Sequence, residues 1–326
     1  MVMETFQTRT AYKLFLMMLS IAMIAIAATL VEQLAGWMMA AVLVAALTTT
    51  LTLRTWFDGL DSFTGILPLT VCLSFGAVLL LICRKGWPSG ALAVFLWTYT
   101  LLTYEVAIIL TPTFCLLVWF RTKNWWRTLP LSVPAVFIFG VVLLLRSMAR
   151  GTDEAYSINL APGPLLRTYL RQVAAALPLT QEWLANNDNI TVDAALNGLL
   201  IVSVGIPVAL MLILLGHQVI ASMRVLQILA GLGATAWLFP PVFVAISTKW
   251  QGEVPTGQGY VAIVWEYIGV AMLLTAIWAA VAQAARGSTR WRIVYAVVTV
   301  WFAALCAFNI AQSITVATLV QVTAVN

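Results

Sequence analysis

Residues Arg84–Arg127 read RKGWPSGALAVFLWTYTLLTYEVAIILTPTFCLLVWFRTKNWWR. At the centre lies Ala91–Phe120, thirty residues of apolar sequence interrupted by Glu105 and Pro112. A helix needs about 20 apolar residues to cross roughly 30 Å of hydrocarbon. The stretch is therefore too long for one crossing and short for two. Charge decides between them. Arg84 and Lys85 precede it, and Arg121, Lys123 and Arg127 follow it. Short basic loops stay on the cytoplasmic side, so both ends share one face of the membrane. The chain must enter and return, as a short helical hairpin with Glu105 near its turn. That arrangement also holds the carboxylate toward the far interface, away from lipid where it would be expensive.

The rest of the chain extends the same logic. Of 326 residues, 62% are hydrophobic and 9% charged, with mean hydropathy +0.98. A soluble domain carries about 25% charged residues, so these charges could not cover a soluble globule. That excludes a soluble enzyme, a secreted disulfide scaffold, a disordered regulator and a nucleic-acid module. Membrane β-strands alternate apolar and polar residues, whereas these apolar runs are continuous. They are Tyr12–Val31, Trp37–Leu53, Thr64–Cys83, Leu129–Met148, Asn197–His217, Val225–Ile246, Val261–Ala284 and Ile293–Val320. The expected fold is all-α: a polytopic transmembrane helical bundle of about eight full spans plus the hairpin, forming one integral membrane domain over residues 1–326.

Sidedness propagates from the hairpin. Leu129–Met148 leads outward, and residues 149–195 form one large outside segment. The later inside loops hold His217 and Arg224, then Arg286, Arg290 and Arg292. The loop Lys249–Gly259 and the C-terminus are outside. Counting backwards, Arg54–Phe63 is outside, Glu32–Gly36 inside and the N-terminus outside, although it carries Arg9 and Lys13. That one misfit with the charge rule means either that an upstream span is missing or that the first hairpin is not arranged this way. The first run reads as a retained span without a cleavage site. The net charge of +5 comes from basic residues at the ends of apolar runs, where they meet lipid phosphates rather than nucleic acid. Cys72, Cys83, Cys115 and Cys306 all lie in apolar runs and read as small buried hydrophobes. The lone His217 leaves no His/Cys metal site.

The outside segment carries a helix of its own. Gly163-Pro164 is a start signal, Leu166, Leu170, Val173 and Leu177 recur at helical spacing, and Pro178 stops it. Arg167, Arg171 and Gln172 fall on other faces. This is an amphipathic helix lying in the membrane interface.

Several groups could carry chemistry. Asp58 and Asp61 are three apart on a short outside loop. On a helical turn they would project to one side, as a base or as ligands of a divalent cation; on a plain turn they cap and solvate it. Glu105 is either a site carboxylate or a hairpin-tip residue satisfied by helix-start N–H groups. Arg146, Arg150, Arg167 and Arg171 either contact headgroups or form a phosphate-binding surface, because guanidinium forks match phosphate oxygens. Glu253 lies in a Gly/Pro-rich loop. Glu266, two turns into its span, faces a watered cavity or a paired neighbour. Trp250, Tyr260, Trp265 and Tyr267 fit an interfacial aromatic belt or, less simply, a sugar-stacking platform.

The order of these features resembles the polytopic glycosyltransferases of the GT-C type, which use polyprenyl-phosphate-linked sugars at the outer membrane face. Bacterial members carry a T-x-E or Y-E element at a hairpin turn after a basic cytoplasmic loop, and here Arg84-Lys85 precede Thr103-Tyr104-Glu105. Many also have a later outside loop leading through Gly-x-Gly-Tyr into a span. Gly257-Gln258-Gly259-Tyr260, then Glu266-Tyr267-Ile268-Gly269, is similar. The family places a catalytic acid in a large outside loop after its first span, and this chain has no such loop near Met1. Its first run looks like the family's second span, so the N-terminal span and catalytic loop look absent. The resemblance implies a protein of a bacterial inner membrane that handles a lipid-linked sugar in cell-envelope glycan assembly. Asp58, Asp61 and Glu105 would line the catalytic region. Arg146, Arg150, Arg167, Arg171, Glu253, Tyr260 and Glu266 would bind substrate. Two rival readings remain open. One is a transporter or flippase using Glu105 and Glu266 as embedded groups. The other is a non-catalytic subunit with a membrane protein partner.

Overall fold

In a computed structural model, residues 9–52, 65–148, 158–180, 194–219, 221–254, 256–257, 259–260 and 263–323 are described. Every regular element among them is a helix. In chain order these are α1 (Arg9–Ala35), α2 (Trp37–Thr50), α3 (Ile66–Cys83), α4 (Trp87–Thr103), a 3-10 helix (Glu105–Leu110), α5 (Thr111–Thr122) and a second 3-10 helix (Trp125–Thr128). Then follow α6 (Leu129–Met148), α7 (Pro162–Ala175), α8 (Ala194–Leu200) with a π-turn at Ile201–Gly205, α9 (Ile206–Gln218), α10 (Met223–Leu238), α11 (Pro240–Ala245), α12 (Thr248–Glu253), α13 (Ile263–Ala285) and α14 (Thr289–Thr323). Eight helical stretches among the described residues are long and apolar enough to cross a membrane. Large apolar side chains such as Phe95, Leu102, Phe137, Leu214 and Val297 are exposed on the molecule. In water such a surface would aggregate; in a bilayer it is covered by acyl chains. The chain is an integral membrane protein.

The hairpin forms where the charge bracket placed it, and it is longer than the apolar run. α4 opens after Gly86 with Pro88 in its first turn, and it ends at Tyr104, whose backbone (φ −146°, ψ 87°) leaves the helical region. Glu105 then opens the 3-10 helix, and Pro112 in the first turn of α5 restores α geometry. The 17 residues of α4 span about 25 Å, and the 3-10 and α pieces of the return arm together about 30 Å. Each arm is close to a full crossing.

The expected span Trp37–Leu53 is a helix of 14 residues, Trp37–Thr50, about 21 Å long. Its threonines end it. Thr48 and Thr49 donate their hydroxyls to the carbonyls of Ala45 and Ala46 at 2.7 Å, and Thr50 does so to Leu47 at 3.3 Å. Such back-bonding competes with the helical ladder. The freed carbonyls are taken by α14: Asn309 Nδ2 donates to Thr48 O at 2.7 Å and to Leu51 O at 2.8 Å.

The residues divide into two compact units interleaved along the chain. The first comprises Met1–Leu30, Leu60–Tyr169 and Leu238–Glu253; the second comprises Val31–Gly59, Leu170–Trp237 and Val254–Asn326. In the first, α3 to α6 pack as a bundle around buried Trp97, whose indole N–H donates to Leu131 O at 2.9 Å. Phe114 stands edge-on to both Trp97 and Phe75, with centroids 5.6 and 5.8 Å away. Those geometries suit the ring quadrupoles. In the second, α13 is the buried centre, with α2 and α14 packed on it. α10 meets it at Gly233 and Gly269, where no side chain separates the backbones.

Each unit joins its basic loops by one arginine. Arg127 donates to Leu81 O at 2.7 Å and Arg84 O at 2.6 Å, tying the α5–α6 connection to the end of α3. Arg286 donates to the carbonyls of Gly216, His217 and Val219 at 3.3, 3.0 and 2.7 Å, tying the α13–α14 connection to the end of α9. A cation at a helix C-terminus satisfies orphan carbonyls and opposes the dipole. In both units, loops expected on one membrane face are held together at one end.

Candidate polar sites at the membrane interface

Within the first unit, three pieces of sequence converge near the hairpin tip. The 3-10 helix Glu105–Leu110 packs against α11. α11 runs on into α12, and residues 158–161 are clamped to that corner. Asn159 N donates to Ile246 O at 2.9 Å, Asn159 Nδ2 donates to Gln251 Oε1 at 2.8 Å, and Gln251 Nε2 donates back to Asn159 O and Ala245 O at 2.8 Å. Glu105 is exposed in the first 3-10 turn, where the helix dipole favours a carboxylate. Glu253 is exposed at the last position of α12. Segment 158–161 passes directly into α7, whose Tyr169 hydroxyl donates to Leu238 O at 3.3 Å.

α7 is the expected interfacial helix, and it has three faces. At 100° per residue, Leu166 and Leu170 share one face, and both are more than half exposed. Thr168, Gln172 and Ala175 lie on the opposite face and are buried. Arg167 and Arg171 run between them; Arg167 is exposed and Arg171 half-buried, its guanidinium 3.4 Å from Val254 O. The polar and small face is turned inward and the leucine face outward. Thr180 closes the helix, its hydroxyl donating to Ala174 O and Leu177 O at 2.7 Å.

Within the second unit, Gln172 organises a buried polar centre. Its Nε2 donates to Glu266 Oε1 at 2.8 Å and to Tyr260 O at 3.0 Å, and its Oε1 accepts from Tyr260 N at 2.8 Å. Gln172 and Glu266 are both 0% exposed. The two bonds to Tyr260 resemble a strand pairing made by a side chain, and they fix the backbone just before α13. The preceding Gly259 (φ 66°) has no room for a Cβ, which would meet Ala175 Cβ and Ile263 Cδ1 at 2.9 Å. The Gly-x-Gly-Tyr element is thus a packing device that lets α7 close on the start of α13.

Of the residues singled out from sequence, Tyr260 and Glu266 come together in the second unit, with Gln172 as the unanticipated hub, while Arg171 of the same unit bonds Val254 O instead. Glu105, Arg167 and Glu253 belong to the first unit. Arg146 lies in the last turn of α6; its side chain, and Asp58, Asp61 and Arg150, lie outside the described residues. Among the described residues no three His, Cys, Asp or Glu side chains gather as a metal site. The expected aromatic belt is different: Trp265, Tyr267 and Tyr260 are buried in the protein, and the Tyr267 hydroxyl shares a 3.0 Å hydrogen bond with Thr52. Their aromatic chemistry fits an interface, but Trp265 and Tyr267 lie on α13, the core helix of its unit, and Tyr260 lies just before it. No protein family, curated protein or solved structure matches the chain.

Proposed function

We propose that this protein handles a lipid-linked sugar at the outer leaflet of a bacterial inner membrane, as a GT-C-like protein of cell-envelope glycan assembly. The observation that supports this most is the arginine flank of α7 beside its exposed leucines. A polyprenyl phosphate has an acyl-like tail and a charged head at the membrane surface. Exposed leucines with guanidinium groups on the flank beside them suit both parts of such a ligand. In transfer, an acceptor hydroxyl attacks the sugar's anomeric carbon, the bond from that carbon to the phosphate oxygen breaks, and the carrier phosphate leaves with the electron pair. Arg167 and Arg171 would neutralise charge growing on that phosphate. The resemblance implies Asp58 or Asp61 as the group that takes the hydroxyl proton and Glu105 as a supporting residue.

The test is sugar transfer from a polyprenyl-phosphate donor in membranes bearing the protein. Losing one charge-assisted contact is expected to slow transfer by roughly 10- to 100-fold in Arg171→Ala, and Asp58→Ala with Asp61→Ala is expected to abolish it. Unchanged transfer in both variants would remove this reading. The complete burial of Glu266 within a span favours a second one, a transporter or flippase, since embedded carboxylates mark such pathways. Gradient-driven uptake into proteoliposomes that is lost in Glu266→Gln would select it.

A further inference from the structure

The connections α3–α4 and α5–α6 form a second charged surface, which the sugar-handling reading does not use. Arg84, Lys85, Arg121 and Lys123 are all exposed there. The sequence has no Asp or Glu from Ser62 to Tyr104 or from Val106 to Thr152, so neither these loops nor the helices they join carry a neutralising acid. Interleaved with the cations are Trp87, Trp125 and Trp126, each more than half exposed. The surface is built rather than loose. Arg127 clamps the two loops through Leu81 O and Arg84 O. Asn124 Oδ1 accepts from Trp126 N at 3.1 Å and starts the 3-10 turn. The Trp125 and Trp126 rings stack at 3.8 Å. Lys123, in the left-handed region (φ 56°), sets its ammonium 4.3 Å over the Phe120 ring.

We infer that this end of the first unit is a docking surface for anionic phospholipid headgroups. Four exposed cations on a clamped frame complement lipid phosphates that carry net negative charge. The indoles sit at the level of the ester carbonyls, where amphipathic rings partition. Zwitterionic lipid offers the same tails and phosphate but cancels the phosphate charge with its own ammonium, so the surface discriminates by net charge. Attraction of this kind scales with the number of Lys and Arg near the surface.

The full-length protein, purified in neutral detergent, is titrated with phosphatidylglycerol or with phosphatidylcholine of the same acyl chains, and bound lipid is counted by native mass spectrometry. Phosphatidylglycerol is expected to bind at least tenfold tighter. In Arg84→Gln/Lys85→Gln/Lys123→Gln, with Arg127 left intact to hold the loops, its binding is expected to weaken by roughly 100-fold, while the melting temperature stays unchanged. The single reversal Lys85→Glu gives the same reading if the triple variant is poorly produced. Arg290→Gln/Arg292→Gln, at the basic loop of the second unit, is expected to keep the preference. Three results would each overturn the inference: an equal preference in the triple variant, an equal loss in the Arg290/Arg292 variant, or displacement of the lipid by equimolar inorganic phosphate.

Discussion

Gly269→Val is expected to leave almost no folded protein, and Gly269→Ala to destabilise it by about 2–3 kcal/mol, the upper part of the range for overpacking a rigid site. A Cβ at Gly269 would stand 2.5 Å from Trp237 N, 2.6 Å from Gly233 O and 2.9 Å from Ala236 C. All three are backbone atoms, so no rotamer change relieves the clash and α10 must move away from α13. Gly233 is the reciprocal position, where a Cβ would lie 2.7 Å from Gly269 O and 2.9 Å from Leu273 N. In membranes, helices gain little from apolar burial alone, and close backbone contact supplies much of their packing energy. Gly231→Ala, two residues away in the same helix and facing open space, is the control and should be neutral or slightly stabilising. Melting of the four proteins in detergent measures the difference; a Gly269→Ala protein as stable as Gly231→Ala would refute the close crossing.

Gln172→Leu should be nearly as damaging, for an electrostatic reason. It removes a donor to Glu266 Oε1, a donor to Tyr260 O and the acceptor of Tyr260 N–H, while Tyr260 O keeps the Ile263 N–H at 2.8 Å. Losing a partner at a buried polar group costs about 1–3 kcal/mol, so a loss of about 2–4 kcal/mol is expected from Tyr260 N–H and Glu266 Oε1 together. The double change Gln172→Leu/Glu266→Leu should recover part of it, because both partners then become apolar. Glu266→Gln still offers an oxygen to Gln172 Nε2, so the fold should survive within about 1 kcal/mol. Thermal melting reads all three variants. A Gln172→Leu protein that melts like the unaltered chain would show that this polar centre does not hold α7 in place. Because Glu266→Gln keeps the fold, any loss of activity in it reports on function alone.

Charge and length sufficed for the hairpin. Only basic residues bracket residues 91–120, and Arg127 indeed holds the two bracketing loops together. Leucine spacing sufficed for α7 as well. Which of its faces meets the protein is not contained in that spacing. In water the leucines of such a helix turn inward; here they are exposed, and Gln172 is buried against Glu266, 94 residues away in sequence. Periodicity reports that a helix has two faces, while the partner of the polar face, here Glu266, decides which is inside. The early end of α2 arises from threonine back-bonding together with Asn309, a contact 261 residues distant, and no local pattern carries that. Tyr267 and Trp265 read as interfacial because of their aromatic chemistry, yet they serve the core because α13 is surrounded. For Asp58 and Asp61 the motif remains a sequence reading, since both lie outside the described residues.

The functional proposal depends on the two loops that carry Lys85 and Lys123 sharing one face of the bilayer, with the Glu105 turn at the other. Cys72, Cys83, Cys115 and Cys306 would be replaced by serine or alanine, and a single cysteine introduced at position 85, 123 or 105. Labelling with a membrane-impermeant maleimide is then compared in sealed and permeabilised cells. Positions 85 and 123 should be protected until the membrane is opened, while position 105 reacts in sealed cells. Reaction of 85 and 123 from opposite sides would contradict the hairpin and, with it, the outer-leaflet site.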